Sequence, residues 1–301
     1  QTRYSREDGG GVRRLQQQGE RNIMMHSFRG AAGVLAIGLS LAVAGPVSAQ
    51  LYTEDQRPSA CHKKYDDTGP GRDVIYVPTR LQTVERMLDF AELKSGETLV
   101  DLGSGDGRIV LAAAKRGANA RGIELDDGRF SIANCWAQEL GLAGKARFLQ
   151  TNIFEHNFTD AAVVTMYLLP GLNLKLRPTV LDMRPGTRVV SHAFTMGDWE
   201  ADRTESVAGS NQTIYLWIVP AKVAGSWTIT PTSGAPVTVS LTQQYQKFEG
   251  SGGSVKVAKG TLRGDQISFS LVDGAGATRD FAGRVVGDRI EGKGWTAVRS
   301  R

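Results

Sequence analysis

Leu99-Val100-Asp101-Leu102-Gly103-Ser104-Gly105-Asp106-Gly107-Arg108-Ile109-Val110 reads as an apolar strand that runs into a glycine-rich turn and opens a helix. A ligand lying across the carboxyl end of a strand needs backbone that can come close and take a positive φ, and glycine does both at least steric cost. Gly103 and Gly105 meet that need. A dinucleotide fingerprint would place a third glycine at position 108, where this chain has Arg108. The turn also carries two acids, Asp101 and Asp106, which a pyrophosphate loop would not tolerate well. They suit a ligand with a cationic end.

The next strand, Asn119-Ala120-Arg121-Gly122-Ile123-Glu124-Leu125-Asp126, carries an acid about twenty residues after the glycines, where a carboxylate accepts ribose hydroxyls. A tight strand-to-helix turn would account for the glycines alone, and a solvated strand end for Glu124. Strand, glycine loop, helix, strand and acid in this order point to S-adenosylmethionine, with Asp101, Gly103, Gly105, Asp106 and Glu124 as its binding residues.

The chain has 301 residues, 41% hydrophobic and 22% charged, which suits one large and one small globular domain. Its net charge of +5 is dispersed, with no basic block interleaved with aromatics, so nucleic acid is not expected as a partner. Residues 1–23 are polar and lack an initiator methionine, and read as a disordered leader; Met24 or Met25 is the more natural start. Residues 24–49 form a secretory signal pattern: Arg29, a small apolar run over Ala31–Ala44 of about fourteen residues, then Val47-Ser48-Ala49 as a cleavage site before Gln50. Export to the periplasm or exterior is expected, with an uncleaved anchor as the alternative, and no membrane span after cleavage. Residues 50–72 read as a linker.

Two cysteines follow the signal pattern. Cys61 lies in the loose lead-in and Cys135 in a helix, and the sequence leaves their pairing open. The four histidines, His26, His62, His156 and His192, are scattered, so no metal site is expected.

Residues 73–220 carry the alternating pattern. Val74–Thr79 leads into an amphipathic helix with Thr79 and Gln82 as a capping box. After the glycine loop come helices near Arg108–Arg116 and Gly128–Leu140, a strand at Ala146–Thr151 and a continuous apolar strand at Ala161–Leu169. A helix at Leu172–Leu181 and strands at Thr187–Ser191 and Thr213–Val219 close the series. This is an α/β doubly wound, Rossmann-like sheet with its ligands at the strands' carboxyl ends. In residues 221–301 short alternating strands are separated by glycine-rich turns, and Gly264-Asp265-Gln266-Ile267 recurs as Gly287-Asp288-Arg289-Ile290, giving an all-β meander or small barrel. Trp227, Tyr245, Phe248, Phe281 and Trp295 are its expected core.

Five motifs in order carry a resemblance: Tyr76-Val77-Pro78-Thr79, the Asp101–Arg108 loop, Gly122-Ile123-Glu124, Tyr167-Leu168-Leu169-Pro170 with Asn173, and Gly186–His192 followed by Trp199. Together they resemble the class I, seven-strand protein-lysine methyltransferases, both the archaeal broad-specificity enzymes and the relatives that modify the ATP synthase c-subunit. The resemblance implies S-adenosylmethionine as cofactor and a protein lysine as acceptor, in a channel near Tyr76 and Thr79. It assigns Tyr167 to lining that channel and Asn173 to orienting the amine. On the residues alone, Tyr76 is equally a packed aromatic and Thr79 a helix cap. Asn152 stands where such enzymes usually carry an acid for the adenine amino group. Two other function classes stay open: an exported binding module on a degenerate scaffold, and a small-molecule O-methyltransferase, for which His192 is the one histidine near a suitable place. Oligomeric state is not read from the sequence.

Overall fold

Residues that alternate between two buried faces fix the first domain. In β1 (Thr98–Leu102), Leu99 packs on one face of the sheet and Val100 and Leu102 on the other. The same division holds in β4 (Val163–Met166) and β5 (Arg188–His192), where Val163 and Val190 join Leu99 while Val164 and Val189 join Val100. Two cores on opposite faces are what a doubly wound sheet requires.

The computed structural model describes residues 60–61, 76–209 and 211–300, all within one compact unit spanning Ala49–Arg301. The expected leader at 1–23, the signal pattern at 24–49 and all of the 50–72 linker except Ala60 and Cys61 lie outside the described residues. With β2 (Asn119–Glu124), β3 (Ala146–Gln150), β6 (Arg203–Ser206) and β7 (Thr213–Ile218), the strands form a seven-stranded sheet in the order β3-β2-β1-β4-β5-β7-β6. The pairs from β3 to β5 are parallel, and β7 is antiparallel to both β5 and β6. The order reverses at β1, which lies between β2 and β4. Connections from those strands leave in opposite directions and open a crevice at their carboxyl ends.

Helices α1 (Leu81–Phe90), α2 (Arg108–Lys115) and α3 (Asp127–Glu139) cover one face, and α4 (Pro170–Leu181) covers the other. Pro170 occupies the first turn of α4, where its missing N–H leaves no bond unmade. That start shortens the expected strand at Ala161–Leu169 to β4, and frees residues 167–169 to line the crevice. The expected capping box fails. The residue capping α1 is Arg80, with no side-chain cap bond, and the Thr79 hydroxyl is turned instead toward His192.

Cys61 and Cys135 are joined in a disulfide that ties the lead-in to α3 across 74 residues of sequence. Closing a loop of that length removes about 4 kcal/mol of chain entropy from the unfolded state.

The second domain is a closed eight-stranded antiparallel barrel: β8 (Gly225–Pro231), β9 (Val237–Gln244), β10 (Lys247–Gly252), β11 (Val255–Arg263), β12 (Gln266–Val272), β13 (Thr278–Val286), β14 (Arg289–Gly292) and β15 (Trp295–Arg299). The two Gly-Asp pairs are two-residue hairpin turns, with Gly264 at φ 64 and Gly287 at φ 59. Trp227, Phe248, Phe281 and Trp295 fill the interior together with Phe269, whose ring stacks on Phe281 at 5.1 Å and meets Trp295 edge-on at 5.5 Å. Tyr245 departs from the expected core. It sits in the β9–β10 turn at φ 56 and packs on the first domain.

Candidate active site

The crevice beside β1 is a cavity of about 960 Å³. Asp101, Gly103, Ser104 and Asp106 line it from β1 and its turn, Glu124 to Asp127 from β2, and Tyr167 to Leu169 from β4. Tyr76 to Thr79, Asn152 to Phe154, Leu172 and Phe194 also line it. Of the residues expected from sequence, all those assigned to the cofactor except Gly105, together with Tyr76, Thr79 and Tyr167, line this one cavity.

The glycine turn is shaped as a cradle. Gly105 has φ 54, and a Cβ there would stand 2.6 Å from the Tyr76 ring; at Gly107, with φ 81, it would stand 2.5 Å from Phe148 and 2.9 Å from Ala133. At Gly103, with φ 73 and on the cavity wall, a Cβ would stand 2.8 Å from Leu168, which lines the cavity too, so a larger residue there would narrow the space. The left-handed backbone turns the Gly105 amide toward β2, where it donates to Glu124 Oε2 at 2.7 Å, while the Asp126 amide donates to Oε1 at 2.9 Å. A carboxylate has about four acceptor sites, so roughly two remain for the vicinal hydroxyls of a ribose.

The acids differ in environment. Asp106 is gripped by the Arg108 guanidinium, with Nε at 2.9 Å from Oδ1 and both groups almost fully buried. Arg108 also donates to the Thr79 carbonyl at 2.7 Å. Asp106 lines the cavity as expected, with its charge balanced by Arg108. Asp101 has no such cation among the described residues. Its partner is the Thr165 hydroxyl at 2.7 Å, and burial together with nearby Glu124 and Asp106 outweighs that bond and pushes its carboxyl up to about 7. Asn152 turns inward on its own loop, its Oδ1 accepting from the Phe154 amide at 3.0 Å.

On the opposite side Tyr167 packs between His192, with ring centroids at 4.0 Å, and Phe194 at 6.0 Å. His192 is fully buried. Its Nε2 lies 2.6 Å from the Gln212 side-chain oxygen Oε1 and so donates, which leaves Nδ1 to accept from the Thr79 hydroxyl at 3.1 Å. Burial lowers its pKa against the opposing Gln212 bond, and the ring is held neutral. Asn173 does not line the cavity. It is fully buried behind the wall, its Nδ2 reaching Ser191 Oγ at 3.3 Å and the Thr195 carbonyl at 3.2 Å. Sequence reasoning passes over Phe194. It follows Ala193, a non-glycine residue at φ 65, and no sequence signal announces that turn.

The fold and the ribose acid beside a glycine cradle define a class I S-adenosylmethionine-dependent methyltransferase. The family model described as "ANTKMT methyltransferase domain" matches residues 101–203. A protein-lysine N-methyltransferase of Saccharolobus islandicus is 38% identical over 151 residues, covering 48% of this chain and 94% of that protein. The adenine nucleotide translocase lysine N-methyltransferase of Mus musculus is 31% identical over 176 residues, 54% of this chain and 76% of that protein. A solved RNA methyltransferase from Salinibacter ruber, in complex with S-adenosyl-L-homocysteine, is 45% identical and covers 49% of this chain and 96% of that one, with a TM-score of 0.47. The chain belongs to the protein-lysine N-methyltransferase family.

The cavity fits the cofactor: Glu124 would hold the ribose, the Gly103–Gly107 backbone would admit it, and Asp101 would face its charged end. Because Asp101 titrates near 7, it is neutral below that pH and anionic above it. The ammonium group of the ligand's amino-acid end draws off its proton, so affinity for S-adenosylhomocysteine rises about tenfold between about pH 6 and 8, with proton uptake by the buffer. Calorimetry in buffers of different ionisation enthalpy reads both effects, and Asp101→Asn abolishes them.

Proposed function

We propose that this chain transfers a methyl group to the side-chain nitrogen of a lysine on a protein. Bound S-adenosylmethionine supplies an electrophilic methyl on a sulfonium. The protein's share is to hold the cofactor, align the acceptor and exclude water. The acceptor side of the cavity is lined by Val77, Pro78, Tyr167, Leu168, Leu172 and Phe194. An apolar, aromatic channel disfavours the ammonium form, so the amine enters neutral and its proton goes to solvent beforehand.

One observation carries this reading over O-methylation. A hydroxyl acceptor needs a base, and His192, the histidine beside the channel, is fully buried with both ring nitrogens engaged by Thr79 and Gln212. Tyr167 then lines the amine's path, with Tyr76 and Thr79 beside the channel in the same cavity. Asn173 acts from behind, through the backbone at 194–195.

We also propose that the chain is exported. The signal pattern at 24–49 and the Cys61–Cys135 disulfide are independent features that agree, since disulfides persist in oxidising compartments. Among the described residues no helix is long and apolar enough to cross a membrane. Protein from an envelope fraction is expected to begin near Gln50 and to gain two alkylatable thiols only after reduction. A full-length cytoplasmic chain with free thiols would contradict export.

The acceptor is tested by incubating the chain with labelled cofactor and envelope proteins, then locating the label by mass spectrometry. Label on lysine is expected, with a rate that climbs toward alkaline pH as more amine is neutral, from an ordinary pKa of about 10.4. Tyr167→Phe is expected to lower turnover while leaving cofactor affinity nearly unchanged. Label on carboxylates, hydroxyls, small molecules or RNA would overturn the lysine reading.

A further inference from the structure

The barrel has no counterpart in the archaeal relative, where 151 matched residues account for 94% of the protein and leave no room for a second domain. Its interior is filled by packed aromatic side chains. Its contact with the first domain, however, is specific. The β9–β10 turn, Tyr245 and Gln246, reaches residues 196–200. The Tyr245 ring stacks on Trp199 at 5.8 Å and 18°, and its hydroxyl donates to Asp198 Oδ2 at 2.9 Å. Gln246 Oε1 accepts from Trp199 Nε1 at 3.0 Å, and its Nε2 donates to the Glu200 carbonyl at 2.8 Å.

From the other side, Arg177 of α4 donates to the Met196 carbonyl at 2.8 Å, pairs with Asp198 and lies over the Tyr245 ring at 5.4 Å. The segment so clamped begins at Ala193, whose left-handed backbone an alanine rarely adopts and which only the surrounding structure sustains. That turn aims Phe194 at Tyr167. The wall of the acceptor channel is thus one end of a strained segment, and the barrel grips the other end.

We infer that the barrel is a positioning domain for the acceptor channel: Tyr245 and Gln246 hold residues 194–200 so that Phe194 stays against Tyr167. Neither residue touches the cavity, and both act through Trp199 and Asp198. The inference rests on Tyr167 and Phe194 forming the acceptor wall, and it predicts effects on the acceptor without effects on the cofactor.

The test uses the full chain carrying Tyr245→Ala, Gln246→Ala or Tyr245→Phe. Amide hydrogen exchange over residues 192–200, read by mass spectrometry, is expected to quicken about tenfold or more in the two alanine variants. S-adenosylhomocysteine affinity is expected to stay within about twofold of the parent, while the KM for poly-L-lysine rises about fivefold or more at little change in kcat. Tyr245→Phe keeps the stack on Trp199 and is expected to restore most of the KM. Unchanged exchange at 192–200, or a fall in cofactor affinity that matches the acceptor effect, would overturn the inference. Should Tyr245→Ala loosen the whole barrel, Gln246→Ala alone decides. A parent chain that leaves poly-L-lysine unmethylated counts against the lysine reading, and the exchange data still decide the brace.

Discussion

The hydrogen bond from the Gly105 amide to Glu124 is the contact on which the site depends. Parallel pairing places Leu102 beside Ile123, so the ends of β1 and β2 are already neighbours. The left-handed glycine turn then points an amide at the acid that ends β2, and a second amide, from Asp126, completes its support. Hydrogen bonds to a charged acceptor contribute about 1.5–3 kcal/mol each. They fix a nearly buried carboxylate at the mouth of a cavity before any ligand arrives. Preorganisation of this kind is what lets a binding group act without rearranging.

A second set of polar contacts joins the cofactor side of the cavity to the acceptor side. Asp106 holds Arg108, Arg108 holds the Thr79 carbonyl, the Thr79 hydroxyl bonds His192, and His192 packs on Tyr167. The Asp106–Arg108 pair is buried, and breaking such a pair costs about 3–5 kcal/mol because one charge is left uncompensated. The glycine loop and the tyrosine wall are therefore parts of one rigid frame. The barrel meets that frame at the far end, through Trp199 and the residues that carry Phe194.

What is legible in the sequence is local or periodic. The glycine turn and Glu124 can be read because their chemistry lies within two neighbouring strands, and the Gly-Asp hairpins because a two-residue turn has its own residue requirements. Thr79 misleads because a hydroxyl at a helix start has two possible partners, and the winning one, His192, is 113 residues away. Tyr245 misleads for a related reason: aromatic residues in a barrel sequence suggest its core, and nothing nearby announces a stacking partner in another domain. Phe194 depends on an alanine in a backbone conformation suited to glycine, which no residue pattern predicts. The disulfide, too, is a tertiary fact. It requires Cys61 to lie against α3, and cysteine spacing does not say so.

The most direct test of the central claim is calorimetric titration of the full chain with S-adenosylhomocysteine, set beside the Glu124→Ala variant. One saturable site is expected in the parent chain, with affinity falling about tenfold or more when the carboxylate that ends β2 is removed. No binding by the parent, or equal affinity in both proteins, would contradict a cofactor site built on the Gly105–Glu124 contact.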